Sequence, residues 1–156
     1  MFTGLIQKIG TVRRVSRGTG LVLEFAFDSR DTGSASDYLP HNYPVNSVVY
    51  TGTHDNETLE QWLASCPVED LEFAKKYAGL NKEEGYRCGI IRLGAGSNAK
   101  LFMAQIQDYL GLGAEARMNE PGVVSDMNWS WRLVPGQASD ELAEEMHEIA
   151  KMYGRI

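Results

Sequence analysis

Two short apolar segments, separated by a long stretch of helical pattern, constrain the fold of this chain more than any other feature. They are SVVYT at residues 47–51 and KLFMAQIQ at residues 100–107. SVVYT is suited to burial on both faces of a parallel sheet, and KLFMAQIQ predicts a second buried strand. From about residue 20 the order is strand, loop, strand, helices, strand, loop and helix. That order predicts an α/β architecture with parallel strands.

The other predicted elements come from β-branched runs, cap residues and helical periodicity. Residues 5–15 and 20–27 are rich in β-branched and aromatic residues and predict strands. The residues between 28 and 46 contain Gly, Ser, Asp, Asn and Pro and predict a long loop. Four helices are predicted: one starting after Asp55 or Asn56, one from Pro67 to Gly79, one starting at an Asn81–Glu84 capping box, and one over 139–153 capped by Ser139.

Composition and charge exclude several classes of partner. The chain has 156 residues, 43% of them hydrophobic and 23% charged, which is ordinary for one soluble globular domain. The net charge is −6, so a nucleic-acid partner is not expected. No apolar run approaches the roughly 18 residues of a membrane span, and no secretory signal pattern is visible. Cys66 and Cys88 form no CxxC pair, which is typical of reduced thiols. We therefore expect a cytoplasmic protein that binds no membrane.

His54 and Asp55 stand side by side directly after the strand at 47–51. An Asp or Asn in front of a helix is a common N-cap, so Asp55 or Asn56 could simply begin the helix that follows. The pair also lies where α/β folds keep their chemistry, at the carboxyl end of a buried strand. From the residues alone both interpretations, a cap and a functional site, remain open.

Four segments resemble one enzyme family in sequence and in order. They are VLEFAFDS, YLPHNYPVNSVVYTGTHDNET, QDYLGLGAEARMNEPG and NWSWRL. Together they resemble the C-terminal part of the catalytic barrel of 4-α-glucanotransferases, the amylomaltases or disproportionating enzymes of glycoside hydrolase family 77. The resemblance runs from about residue 20 to the end. It implies a partial (β/α)8 barrel whose last three strands are LVLEFAF, SVVYTG and LFMAQIQ.

The resemblance also implies roles for three residues. Such enzymes transfer α-1,4-glucan segments between maltodextrins with retention, using a nucleophilic carboxylate and an acid/base carboxylate across an oxocarbenium-like transition state. A third carboxylate in the family stabilises that transition state, and Asp55 of the THD motif matches it. His54 matches the imidazole that binds sugar hydroxyls, and Asn119 of ARMN matches a residue lining the same cleft. The resemblance implies no metal and no organic cofactor.

The other two carboxylates of the family are not found in this sequence. They lie upstream of the VLEFAF block in the family, and none of the residues before that block matches either motif. We therefore expect the chain to be incomplete as a catalyst on its own. One hypothesis is a glucanotransferase fragment that would pair with an N-terminal half-barrel. The alternative is a truncated barrel that binds glucan or self-associates without chemistry.

The first residues, MFTGLIQKIGTVRRVSRG, do not follow the glucanotransferase pattern. They resemble the N-terminus of riboflavin synthase, which places Phe2 and Thr3 near a lumazine site. A β-strand leader joined to another domain is the simpler interpretation, and a lumazine-binding protein is a third function hypothesis. The predicted domains are a leader at 1–19 and a barrel part at 20–156.

Trp129 and Trp131 alternate in NWSWRL, so on a strand their side chains would share one face. Aromatic side chains stack on sugars, but they also bury as core or loop anchors. We expect the core or loop-anchoring role.

Overall fold

The computed structural model describes the backbone of residues 13–14 and 21–24 and the whole of residues 39–156. Short 3-10 turns cover Pro40–Asn42 and Ala114–Ala116. The strands are β1 (Arg13–Arg14), β2 (Leu21–Glu24), β3 (Ser47–Tyr50) and β4 (Leu101–Met103), and the helices are α1 (Leu59–Ser65), α2 (Val68–Ala78), α3 (Tyr86–Ala95), α4 (Ile106–Leu110) and α5 (Asp140–Met152).

The four strands form one sheet in the order β1-β2-β3-β4. β1 pairs antiparallel with β2, whereas β2, β3 and β4 are parallel neighbours. In the register of the last pair, Val48 lies beside Leu101, Val49 beside Phe102 and Tyr50 beside Met103. The predicted α/β architecture with parallel strands is confirmed.

Helix α3 packs on one face of the sheet, and α1, α2 and α5 pack against α3. Val49 is fully buried on that face, and Gly94 of α3 contacts the ring of Phe102 beside it. This face contributes to a core made of the following buried residues: Tyr43, Val49, Leu59, Trp62, Ala74, Ala78, Leu80, Ile90, Ile91 and Ala99.

The opposite face of the sheet is apolar but only partly covered by the described residues. Leu101 and Met103 point to it with 49% and 46% of their surface exposed, and their partners Val48 and Tyr50 are half-buried. The burial of SVVYT on both faces, expected from its sequence, is therefore met on the helix side alone. This second face therefore carries the kind of apolar side chains that usually pack in a protein core.

Two helix ends follow the predicted caps. Gly79 ends α2 in the left-handed conformation, which glycine adopts without the steric cost of a Cβ atom. The Ser139 side chain accepts a hydrogen bond from the backbone N–H of Leu142 and so caps α5.

Three predicted boundaries are wrong. α1 begins at Leu59 and is capped by Thr58, so neither Asp55 nor Asn56 is its cap. Asn81 does accept a hydrogen bond from the Glu84 N–H, but it closes an isolated turn, because α3 starts at Tyr86 after Gly85.

The third wrong boundary is that of the strand predicted over 100–107. It ends at Met103, and Ile106–Leu110 is helical. The segment KLFMAQIQ thus spans a strand and the start of a helix, which its composition does not distinguish.

Several predictions fall outside the described residues: most of the strand over 5–15, the later part of the strand over 20–27 and the loop from 28 to 38. Within the described part of the chain, no helix has the length and apolar character needed to cross a membrane.

Candidate functional site at the strand ends

His54 and Asp55 lie in a tight turn that follows the carboxyl end of β3. The turn is closed by Asn56, whose side-chain oxygen accepts hydrogen bonds from both the backbone N–H and the hydroxyl of Thr53, each at 2.7 Å. The Asn56 N–H in turn donates to the Thr53 carbonyl at 3.0 Å. An Asn that bonds nearby backbone in this way fixes a turn locally, so the sequence TGTHDN itself sets the direction of the pair.

Asp55 meets Asn119, which lies beyond α4 in the segment that follows β4. The Asn119 Nδ2 group donates to Asp55 Oδ1 at 2.7 Å, although 64 residues separate them. His54 Nε2 lies 3.3 Å from the same oxygen. Among the described residues, both contacts to this carboxylate fall on Oδ1 and none on Oδ2. The three residues singled out from the sequence are therefore brought together at one edge of the sheet.

The Arg117 side chain forms hydrogen bonds to the backbones of both Asp55 and Asn119. Its Nε–H donates to the Asn119 carbonyl at 3.0 Å, and its Nη2 group donates to the Asp55 carbonyl at 2.9 Å. No sequence motif predicted a role for this residue. Its position two residues before Asn119 is visible in the sequence, but the carbonyl of Asp55 reaches it only through the fold.

Trp129 packs against His54, with ring centroids 5.1 Å apart and planes tilted by 40°. Its backbone has φ of 65°, which is unusual for a bulky residue and costs about 1–3 kcal/mol. The Trp129 N–H donates to the Met118 carbonyl at 2.6 Å, which holds the loop in this conformation.

Trp129 does not lie on a strand, because residues 126–130 form turns. Nor is it a core residue, since 51% of its surface is exposed. It anchors the loop and lies against the imidazole.

A buried carboxylate forms hydrogen bonds to both ends of the segment that contains the turn. Asp108 of α4 is completely buried and accepts hydrogen bonds from the Thr51 hydroxyl at 2.6 Å and the Leu59 N–H at 2.8 Å. Thr51 lies at the end of β3 and Leu59 at the start of α1, so Asp108 holds both ends of the segment that carries His54 and Asp55. Burial raises the pKa of Asp108, an effect that these two hydrogen bonds oppose.

The geometry separates the two interpretations of the pair. A cap would require Asp55 to bond the first N–H groups of α1, but Thr58 and Asp108 bond N–H groups there instead. The pair follows β3, and Asn119 reaches it from the segment beyond α4; the functional roles of the three residues stay predictions. A carboxylate, an imidazole and an amide gathered in this way can bind the hydroxyl groups of a polar ligand. In the described part of the chain no three His, Cys, Asp or Glu side chains cluster as metal ligands would.

The fold and the site together define an α/β protein with a polar site at the carboxyl ends of parallel strands, the edge on which α/β enzymes bind their ligands. A family model described as 4-alpha-glucanotransferase matches residues 9–137. The chain therefore belongs to the 4-alpha-glucanotransferase family, glycoside hydrolase family 77.

Individual relatives agree with this membership. The 4-alpha-glucanotransferase of Clostridium butyricum is 42% identical over 135 residues, which cover 86% of this chain and 27% of the relative. That of Thermus thermophilus is 40% identical over 142 residues, covering 86% of this chain and 28% of the relative. The chloroplastic/amyloplastic enzyme of Solanum tuberosum is 33% identical over 177 residues, covering 100% of this chain and 30% of the relative. The chain thus spans less than a third of these curated relatives.

A solved structure extends the similarity to the fold. Amylomaltase from Streptococcus agalactiae in complex with acarbose matches with a TM-score of 0.75 and 30% identity, over 82% of this chain and 25% of that one. The family match begins at residue 9, inside the segment predicted as a separate leader. The comparisons give no support to the resemblance of residues 1–18 to riboflavin synthase.

Proposed function

We propose that this chain forms part of the α-1,4-glucan site of a retaining glucanotransferase. The single observation that carries the proposal is the Asp55–Asn119 hydrogen bond of 2.7 Å at the carboxyl ends of β3 and β4. It joins the two motifs, THD and ARMN, whose residues match site positions in the family. In this role Asp55 stabilises the transition state, and His54 and Asn119 bind sugar hydroxyls.

The chemistry of the site suits a sugar ring that flattens and gains positive charge. A carboxylate is attracted more strongly to an oxocarbenium-like ring than to the neutral substrate, so it lowers the barrier as well as binding the ground state. Asn119 and His54 both approach Oδ1 of Asp55, which holds the carboxylate in one orientation. A fixed charge needs no reorganisation during the reaction.

The uncovered sheet face supports a partial (β/α)8 barrel. In such a barrel one strand face packs on helices and the other fills the barrel interior. Val49 and Phe102 lie on the helix side, whereas Leu101 and Met103 lie on the partly exposed side. We propose that this exposed side is a barrel interior without its remaining strands. It would pair with an N-terminal half-barrel or with a second copy of the chain.

We further propose that the 156 residues bind glucan but do not turn it over alone. Of the three carboxylates used by the family, only Asp55 has a match, and the chain spans about a quarter of the amylomaltase structure it resembles. The route would use no metal and no organic cofactor.

A cytoplasmic location is proposed on the free thiols of Cys66 and Cys88, which suit a reducing compartment.

The test is a titration of the purified chain with maltotetraose, followed by amide chemical shifts and by glucose release from maltotriose. We expect saturable shifts around the 53–56 turn and Asn119, and no glucose release above background. Asp55→Ala should weaken binding about tenfold, about 1.4 kcal/mol, because it removes a charged acceptor.

The matched control is Glu115→Ala, which removes a carboxylate from the loop after β4 whose bond goes to Gly113 within that loop. It should bind maltotetraose as the unchanged chain does. Equal binding by Asp55→Ala would refute the site. Glucose release that disappeared in Asp55→Ala would refute the proposal that the chain is incomplete. Adding an N-terminal half-barrel from a related amylomaltase should restore turnover.

A further inference from the structure

Arg117 closes a ring of contacts around the two central residues of the site. The side chains of Asp55 and Asn119 bond each other at 2.7 Å, while their backbone carbonyls both accept from the Arg117 guanidinium, at 2.9 Å and 3.0 Å. One planar group thus joins the same two residues that the side-chain hydrogen bond joins.

The guanidinium suits this task better than any other side chain. Its N–H donors lie in a rigid plane, so two bonds made by it fix the relative position of two acceptors. A lysine would supply one compact charge on a flexible stem, and could not fix that geometry. The bond to Asp55 connects two loops that are distant in sequence. Asp55 lies 62 residues before Arg117, on the loop of a different strand.

Besides Arg117, the loop around Asn119 meets the turn at Asp55 through the Asn119 side chain itself and through the ring contact of Trp129 with His54. Its flanks, Met118 and Glu120, bond to Trp129 and Asn128 of the following turns. Those turns are themselves exposed, as Val124 and Met127 show. Among the described residues, Arg117 is the side chain that bonds the backbone of this exposed loop to the backbone of Asp55.

We propose that Arg117 is a positioning residue of the glucan site, holding the Asn119 amide on the Asp55 carboxylate. The inference rests on the proposed function for the meaning of the site, but its geometry is testable without any ligand. The Arg117 guanidinium donates its two hydrogen bonds to backbone carbonyls. It therefore acts on substrate only through Asp55 and Asn119.

The experiment follows the side-chain amide protons of Asn119 by NMR. In the unchanged chain the proton bonded to the carboxylate should be displaced downfield from its partner. In the Arg117→Gln chain most of the downfield displacement of the bonded proton should disappear, as it should in Asp55→Asn. The Arg117→Lys chain should keep only part of that displacement. Maltotetraose binding should weaken about tenfold in Arg117→Gln.

Arg155→Gln is the matched control. Arg155 bonds three carbonyls, those of Ala95, Ser97 and Ala99, near the amino end of β4, on the opposite edge of the sheet. Its loss should lower the melting temperature yet leave the Asn119 protons unchanged. That separates positioning from general stabilisation.

Two outcomes would overturn the inference. One is a folded Arg117→Gln chain with an unaltered Asn119 signal. The other is global unfolding of both Arg117 variants under conditions in which Arg155→Gln stays folded, which would make Arg117 a stabiliser of the whole domain. If the unchanged chain binds no maltotetraose while the Asn119 signal still depends on Arg117, the proposed function fails and the positioning role stands.

Discussion

At the scale of single residues, Asp108 is a fully buried carboxyl group whose protonation is linked to folding. It holds Thr51 and Leu59, the two ends of the segment that carries His54 and Asp55. Because burial raises its pKa, the folded chain binds a proton at Asp108 more tightly than the unfolded chain does. Its contribution to stability is therefore largest at acidic pH, and falls as pH rises from the ordinary carboxyl pKa of about 4 through the raised value.

Asp108→Asn tests this sign. The amide carries no charge, can still accept from Leu59 and can donate to the Thr51 hydroxyl. We therefore expect its free energy of unfolding to improve relative to the unchanged chain as pH rises from about 4, the ordinary carboxyl pKa, to neutrality. Urea unfolding at a series of pH values measures the difference. Thr51→Val should shift the pH dependence the other way, since it removes a hydroxyl that stabilises the ionised form. Parallel pH curves for Asp108→Asn and the unchanged chain would contradict the raised pKa.

At the scale of elements, the contact between α3 and β4 depends on a missing side chain. A Cβ atom on Gly94 would overlap the ring of Phe102. Glycine lowers helix stability by up to about 1 kcal/mol in a helix interior. In α3 this cost is accepted because only glycine lets the helix pack closely on Phe102. The helix approaches the strand at this point because nothing projects from residue 94.

Gly94→Ala should lower the free energy of unfolding by about 1–3 kcal/mol, the usual cost of overpacking, despite the better helix propensity of alanine. Phe102→Leu should relieve part of that loss, so the double variant should be more stable than the sum of the single effects. Gly79→Ala is the control for conformation alone. It lies at φ 64° with nothing within 4 Å, and should cost about 1 kcal/mol with no dependence on residue 102. Additive effects of the Gly94 and Phe102 changes would contradict the packing explanation.

At the scale of the whole molecule, the partly exposed apolar sheet face leads to a prediction about self-association. Leu101 and Met103 are about half exposed beside Val48 and Tyr50, on a face with the character of a core. Apolar patches of this kind mark interfaces or cause aggregation. A closed barrel has no edges, whereas a partial one leaves strand edges available for pairing.

We therefore expect the isolated chain to self-associate in a concentration-dependent way, measured by sedimentation velocity. Replacing Leu101 and Met103 together by threonine should weaken the association, because it removes apolar area from the exposed face while keeping β propensity. Val124→Thr should not, since Val124 is fully exposed on a loop away from the strands. A monomer at all concentrations that melts cooperatively above about 60 °C, high for a mesophile domain, would contradict the prediction.

The sequence by itself determined the parallel α/β order, the helix ends at Ser139 and Gly79, and the placement of His54 and Asp55 after a strand. These features depend on local periodicity and on the conformational preferences of single residues, so neighbouring sequence suffices to predict them. The family motifs added Asn119. The start of α1 was misplaced because its actual N-terminus is held by Thr58 and by the distant Asp108.

Only the tertiary structure decided what surrounds the pair. The clamp of Arg117 on Asp55, the approach of Trp129 to His54 and the support of Asp108 all join residues more than forty positions apart. The end of β4 at Met103 belongs here too, because the composition of KLFMAQIQ does not mark its change from strand to helix. That change coincides with two tertiary hydrogen bonds, from the Gln105 N–H to the Thr51 hydroxyl and from that hydroxyl to Asp108. Contacts between distant segments form only when the sheet brings their loops to one edge, and no periodicity within a segment encodes them.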